Sequence, residues 1–200
     1  YLHEKTSFSV KSPISRIEKI NTSQDQNNLL DAHEKEILRL LLNYGDRILE
    51  FEDYKGKVSN YIIEELEHDN IIFSNAFYKS LFEEYSKLIS DKKIDIKIFL
   101  NHKDKKIQDL AIDLVSKKHE ISKKWEDLHQ IFIGDETKNM EKTIEKAILS
   151  LKQAYLKSKI ADVNLQLSEG EDPDKELINK LTKLNKALVI INKLLGRNFN

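Results

Sequence analysis

Apolar positions along this chain recur mostly at three- and four-residue spacing, the period of a helix with one buried face. Ile37, Leu38, Leu41 and Leu42 form the first stripe, with Gly45 as a C-terminal stop. Asp31 stands before that stripe with Glu34 three residues on, the pattern of a capping box. A second helix is predicted from Val58 to His68, on Tyr61, Ile62 and Leu66. Asn75 is placed to cap a third, which carries Phe77, Tyr78, Leu81, Phe82, Tyr85, Leu88 and Ile89. The aromatic density of this stretch marks the centre of a first core. Ile94, Ile96 and Ile98 alternate with polar residues as in a strand. No partner strand is evident nearby, so the segment reads as a short strand or as entry into the next helix. Ile107, Leu110, Ala111, Leu114 and Val115 predict a helix over 104–118, and a further turn or two surrounds Trp125, Leu128 and Ile131 before Gly134 breaks the chain.

From Glu136 to Ser168 there is no helix breaker, enough for about 45 Å of helix at 1.5 Å per residue. Its apolar face rotates midway. Met140, Ile144, Ile148, Leu151 and Tyr155 form one stripe, and Leu149, Leu156, Ile160, Val163 and Leu167 form another. Such a helix is expected to bridge two subdomains, with different neighbours at its two ends. Gly170, Asp172 and Pro173 then make a tight turn: Gly170 ends one helix, Asp172 caps the next and Pro173 occupies its first position. The last helix carries Leu177, Leu181, Leu184, Leu188, Ile191 and Leu195, a regular heptad stripe. Two such helices joined by a short turn predict an antiparallel helical hairpin. Residues 1–30 are polar and aperiodic by comparison, apart from an amphipathic turn at Ile14, Ile17 and Ile20 after Pro13, and read as a flexible linker. The expected organisation is all-α: linker at 1–30, a helical bundle at 31–150 and a C-terminal hairpin at 151–200.

One seam on the last helix needs one stripe, and this helix has more. Ala187, Ile190 and Leu194 form a second row about 100° around from the first, with Val189 adding bulk. Either the row docks on the helical body, or it faces a partner protein. Ala187, Ile190, Ile191, Leu194, Leu195 and Arg197 are therefore the candidate partner-binding residues.

Composition sharpens this picture mainly by exclusion. With 5 glycines and 2 prolines in 200 residues, long helices are favoured over many short strands. A formal net charge of −1 argues against a generally basic nucleic-acid binder. Cysteine is absent, which removes disulfides, thiolate metal sites and cysteine nucleophiles, and fits a cytoplasmic protein. No apolar run nears the roughly 18 residues that span a membrane; the longest lie at 40–42 and 188–191. The chain opens on Tyr1 rather than Met, as expected of a piece of a longer protein. The 6 histidines lack an HExxH arrangement, and no phosphate loop, dinucleotide-binding turn or nucleophile elbow is present. The expectation is a chain with no catalytic site, no metal and no cofactor. Lys103, Lys105, Lys106, Lys117, Lys118, Lys123 and Lys124 make a locally basic region, which suits either a solvated face or a shallow site for an acidic peptide or nucleic-acid phosphate, with Lys117, Lys118, Lys123 and Lys124 the candidate acidic-peptide residues.

The order and spacing of several segments resemble a known family. The stretch from Ala32 to Gly45, AHEKEILRLLLNYG, is similar to the opening of the C-terminal region of DnaG-type bacterial DNA primases, those of the Bacteroidetes in particular. YIIEEL at 61–66, FLNH at 99–102, LAIDL at 110–114, ISKKWE at 121–126 and LLGR at 194–197 continue the likeness over residues 31–200. The resemblance implies a non-catalytic bundle and hairpin. The hairpin would dock on the N-terminal domain of the replicative DnaB-type helicase and recruit primase to the replication fork. Zinc-binding and polymerase domains would precede it in the parent enzyme, a DNA-directed RNA polymerase. Some members also bind the acidic tail of single-stranded DNA-binding protein. A self-associating helical scaffold and an N-terminal-type helicase domain are the alternatives.

Overall fold

The computed structural model describes residues 22–51, 54–89, 94–116, 139–169 and 175–196. Among them the elements run α1 (Thr22–Tyr44), β1 (Ile48–Glu50), β2 (Lys55–Lys57), α2 (Val58–His68), α3 (Ala76–Ile89), α4 (Lys97–Leu100), α5 (Lys105–Ser116), α6 (Met140–Glu169) and α7 (Lys175–Leu194). The fold class is all-α, as the apolar spacing predicts.

α1 is the hub. Ile37, Leu38, Leu40 and Leu41 are all fully buried, which places apolar side chains around most of the helix rather than on one stripe. α2, α3, α5 and α6 cover it from different sides. Its start corrects the sequence expectation, because 22–30 are helical rather than linker. Leu30 is buried and Leu29 packs beside the core, so tertiary contact carries the helix through a polar stretch that its sequence alone does not mark. Asp31 and Glu34, expected as a capping box, lie inside the helix and cap a different one. The Glu34 carboxylate accepts hydrogen bonds from the backbone N–H groups of Ser74 and Asn75, just before α3. Asp31 accepts from the Asn75 amide at 3.3 Å and from the Tyr78 hydroxyl at 3.2 Å. Asn75 itself caps α3 as expected, its side-chain oxygen accepting from the Phe77 and Tyr78 N–H groups at 2.9 and 3.4 Å. At 1% exposure, Glu34 has its pKa pushed up by burial, which the two N–H groups offset only in part.

A small antiparallel hairpin, absent from the sequence expectation, follows α1, pairing Ile48 with Lys57, Leu49 with Gly56 and Glu50 with Lys55. Leu49 points into the core while Ile48 faces solvent. Phe51 and Tyr54 meet Tyr61 of α2 with ring centroids 5.1 and 4.9 Å apart, which fastens the hairpin to the bundle. Gly45 marks the end of α1, and a Cβ there would collide with the Tyr85 hydroxyl and the Leu41 carbonyl. That hydroxyl donates to the same carbonyl at 3.0 Å, joining α3 to the last turn of α1. The Ile94–Ile98 region proves to be helix entry: Asp95 accepts from the Lys97 N–H at 3.0 Å and α4 follows. α4 buries Phe99 against Tyr85. The turns expected at Pro13 and Trp125 fall outside the described residues.

α6 runs 30 residues without a break and is shared by bundle and hairpin, as the rotating stripe predicts. Ile144, Ile148, Leu151 and Ala154 belong to the bundle core. The bundle therefore reaches past residue 150, the boundary expected from sequence. Lys152 ties the helix down: its ammonium lies 2.6 Å from Glu65 and 2.8 Å from Asp69, both at the end of α2. Burial disfavours the charge on Lys152, but its two carboxylate partners outweigh that and hold its pKa above the ordinary value.

Candidate docking surface

α7 packs along α6 and makes no comparable contact with another described element. The heptad residues Leu177, Leu181, Leu184, Leu188, Ile191 and Leu195 are half-buried, so each seam leucine keeps part of its surface in water. The pairing is antiparallel, since α6 ends at Glu169 and α7 begins at Lys175, while Gln153 of mid-α6 meets Asn192 near the far end of α7. The Gln153 amide donates to the Asn192 side-chain oxygen, and both side chains are buried. The Asn192 Nδ2 has no hydrogen-bond partner among the described residues.

The second row stands outside this seam. Ile190 is 59% exposed, Leu194 63% and Val189 43%, and Ala187 is half-buried beside them. Of the candidate residues, the fold brings Ala187, Ile190 and Leu194 together on one open face. Ile191 and Leu195 are half-buried and belong to the heptad stripe with Leu184 and Leu188, beside the buried Asn192 that meets α6. Arg197 and the four lysines Lys117, Lys118, Lys123 and Lys124 lie outside the described residues. The row is also not at the hairpin turn. It flanks the middle of α6, close to where Lys152 grips α2.

Two features of this surface escaped the sequence reading. One is Asn192, a polar residue adjacent to the seam whose burial shows only once the register is known. The other is charge. α7 carries five lysines and a single glutamate. Lys186 lies one turn before Ile190, Lys183 one turn before Ala187, and Lys193 one turn after Val189, so the apolar row is edged by cations. All three lysines are exposed, and none pairs with a carboxylate among the described residues. The excess of lysine over acid within one helix was the available signal.

Among the described residues no cluster of three or more His, Cys, Asp or Glu could hold a metal ion. His102 meets Glu84 at 3.0 Å, and His68 meets Asp69 at 3.1 Å, the carboxylate that Lys152 also holds. No described helix is long and apolar enough to cross a membrane.

The fold and this face define an all-helical domain whose last helix leaves an apolar row uncovered. The chain belongs to the family described as a domain of unknown function, DUF8430, whose model matches residues 21–198. No curated protein and no solved structure matches it.

Proposed function

We propose that this chain is a non-catalytic docking domain of a bacterial DNA primase, which carries primase to the replication fork by binding the N-terminal domain of the replicative DnaB-type helicase through α7. The observation that carries the proposal is the exposed row of Ile190 and Leu194 on a helix held by one neighbour. Large apolar side chains set side by side in water mark an interaction surface. The likeness of segments such as AHEKEILRLLLNYG at 32–45 to primase C-terminal regions supplies the identity of the partner. Docking would bury the row as a hot spot and leave the surrounding polar residues as a rim.

Calorimetric titration of the chain with the cognate helicase N-terminal domain tests this. Ile190→Asp or Leu194→Asp is expected to weaken binding by about tenfold or more, since a charge is forced into a desolvated contact, while thermal unfolding stays within about 0.5 kcal/mol of the parent. A folded chain that shows no heat of binding at tens of micromolar overturns the proposal.

A further inference from the structure

The partner's docking face can be described further from the charges around the row; this step rests on the helicase reading. We propose that the surface receiving α7 is an apolar groove rimmed by carboxylates, and that a second copy of this chain is not its occupant. Lys183, Lys186 and Lys193 edge the row and are exposed, with no carboxylate partner among the described residues. The chain as a whole carries a net charge of −1, so its last helix concentrates cation on a molecule that is otherwise slightly acidic. A face of this kind steers toward negative potential and is repelled by its own kind. Two copies meeting by a twofold axis would present the same patch to each other and set lysine against lysine. Nucleic acid would satisfy the lysines but leave Val189, Ile190 and Leu194 against phosphate, with nothing apolar to bury them. A protein groove that is apolar at its floor and acidic at its edge accommodates both parts.

The test uses the full chain and the helicase N-terminal domain. Binding is measured at salt from about 0.05 M to about 0.5 M, a range over which screening of exposed charge becomes short-ranged. The triple variant Lys183→Glu, Lys186→Glu, Lys193→Glu is measured beside the parent. Affinity of the parent is expected to fall with salt, and the variant to bind about tenfold or more weakly at the lowest salt, with the gap closing as salt rises. Its melting should match that of the parent, because these side chains are exposed and make no hydrogen bond or ion pair with the described residues. A parent that binds with no dependence on salt or on the three lysines overturns the acidic rim and leaves the helicase reading intact. A parent that does not bind overturns both. Sedimentation of the chain alone is expected to show a monomer; a dimer abolished by Ile190→Asp makes a second copy the occupant. Lysine-dependent binding to phosphatidylglycerol vesicles would assign the face to a lipid surface instead, and also overturns the proposal.

Discussion

The bundle and the hairpin use the same kinds of side chain to different ends. Around α1 the apolar residues leave water altogether, with Ile37, Leu38, Leu49, Leu81 and Phe99 fully buried. Along α7 no apolar residue is fully buried: the seam leucines stay half-exposed, and the one buried side chain is the polar Asn192. Area removed from water is worth about 25 cal/mol per Å2, so the bundle has a stability source that the hairpin has only in part. A helix secured on one side is drawn from the least stable part of a structure and gains most from a partner that covers it. The bundle is closed around α1 and α7 stays open on one side, with α6 belonging to both; in the proposed reading the first is the anchor and the second the presented surface.

The largest effect expected of a single substitution lies in the anchor. Phe99 is 0% exposed and stacks on Tyr85 with ring centroids 5.7 Å apart. Phe99→Ala should cost about 3–5 kcal/mol, from lost transfer energy and the cavity left behind. Leu184→Ala, in the half-exposed seam, should cost roughly 1 kcal/mol because less area is lost and water can enter. Denaturant melts of the two variants check the contrast. Equal losses would mean that the seam is as well packed as the bundle, and the comparison would break.

A smaller effect is expected at Glu34, which stabilises α3 from another helix. Glu34→Ala leaves the Ser74 and Asn75 N–H groups without their acceptor and should cost about 1–3 kcal/mol. Its pH dependence has a definite sign. Burial raises the folded-state pKa above the ordinary value of 4.5, so the folded chain binds the proton more readily than the unfolded one. The stability linked to this group is fully present below 4.5 and is lost as pH rises through the raised value. Asp69 acts in the opposite direction. Burial pushes its pKa up, but hydrogen bonds from Lys152 and His68 outweigh that and hold it below 3.8, so its contribution is present above 3.8 and lost as pH falls through the lowered value. Glu34→Gln should therefore lose less stability than the parent when pH rises from about 4.5 into the neutral range, in melts followed by circular dichroism. A steeper loss would assign the titration to another group.

The two regions also differ in how much their sequences disclose. α2 and α3 are plain because their stripes are continuous and Asn75 marks a start. The first turns of α1 are not, because Thr22–Asn28 carries no apolar spacing and helix there follows from burial of Leu30. Asp31 and Glu34 satisfy the local capping pattern and are used by a helix more than forty residues away, a relation that only tertiary structure defines. The β1–β2 hairpin goes unread because its strands are only 3 residues long, too short for alternation to register. At the proposed docking face, counting rows on α7 finds Ile190 and Leu194 directly. The split of Ile191 and Leu195 into the seam depends on which side of α7 meets α6.

Asn192 carries the smallest expected change in stability and a distinct change in structure. An amide buried beside an apolar seam, with Nδ2 unpartnered among the described residues, costs the hairpin free energy. Its hydrogen bond from Gln153 gains back part of that and is satisfied in one register only. A leucine seam alone fits nearly as well when one helix slips by a turn, so a polar pair can fix alignment at some cost in stability. The double variant Gln153→Leu, Asn192→Leu should thus melt within about 1 kcal/mol of the parent, or above it. Alignment is what should suffer. With no native cysteine, spin labels attached at Leu165→Cys and Ile178→Cys, both exposed, report the α6–α7 distance without background. The parent should give one narrow distance, and the double variant a second population from a slip of one turn, about 5.4 Å along the axis. A single unchanged distance together with a loss of several kcal/mol would make the pair a source of stability rather than of register. A second population would show that α7 spends stability to hold Ile190 and Leu194 at one place on the bundle, which a docking row requires and a general-purpose scaffold does not.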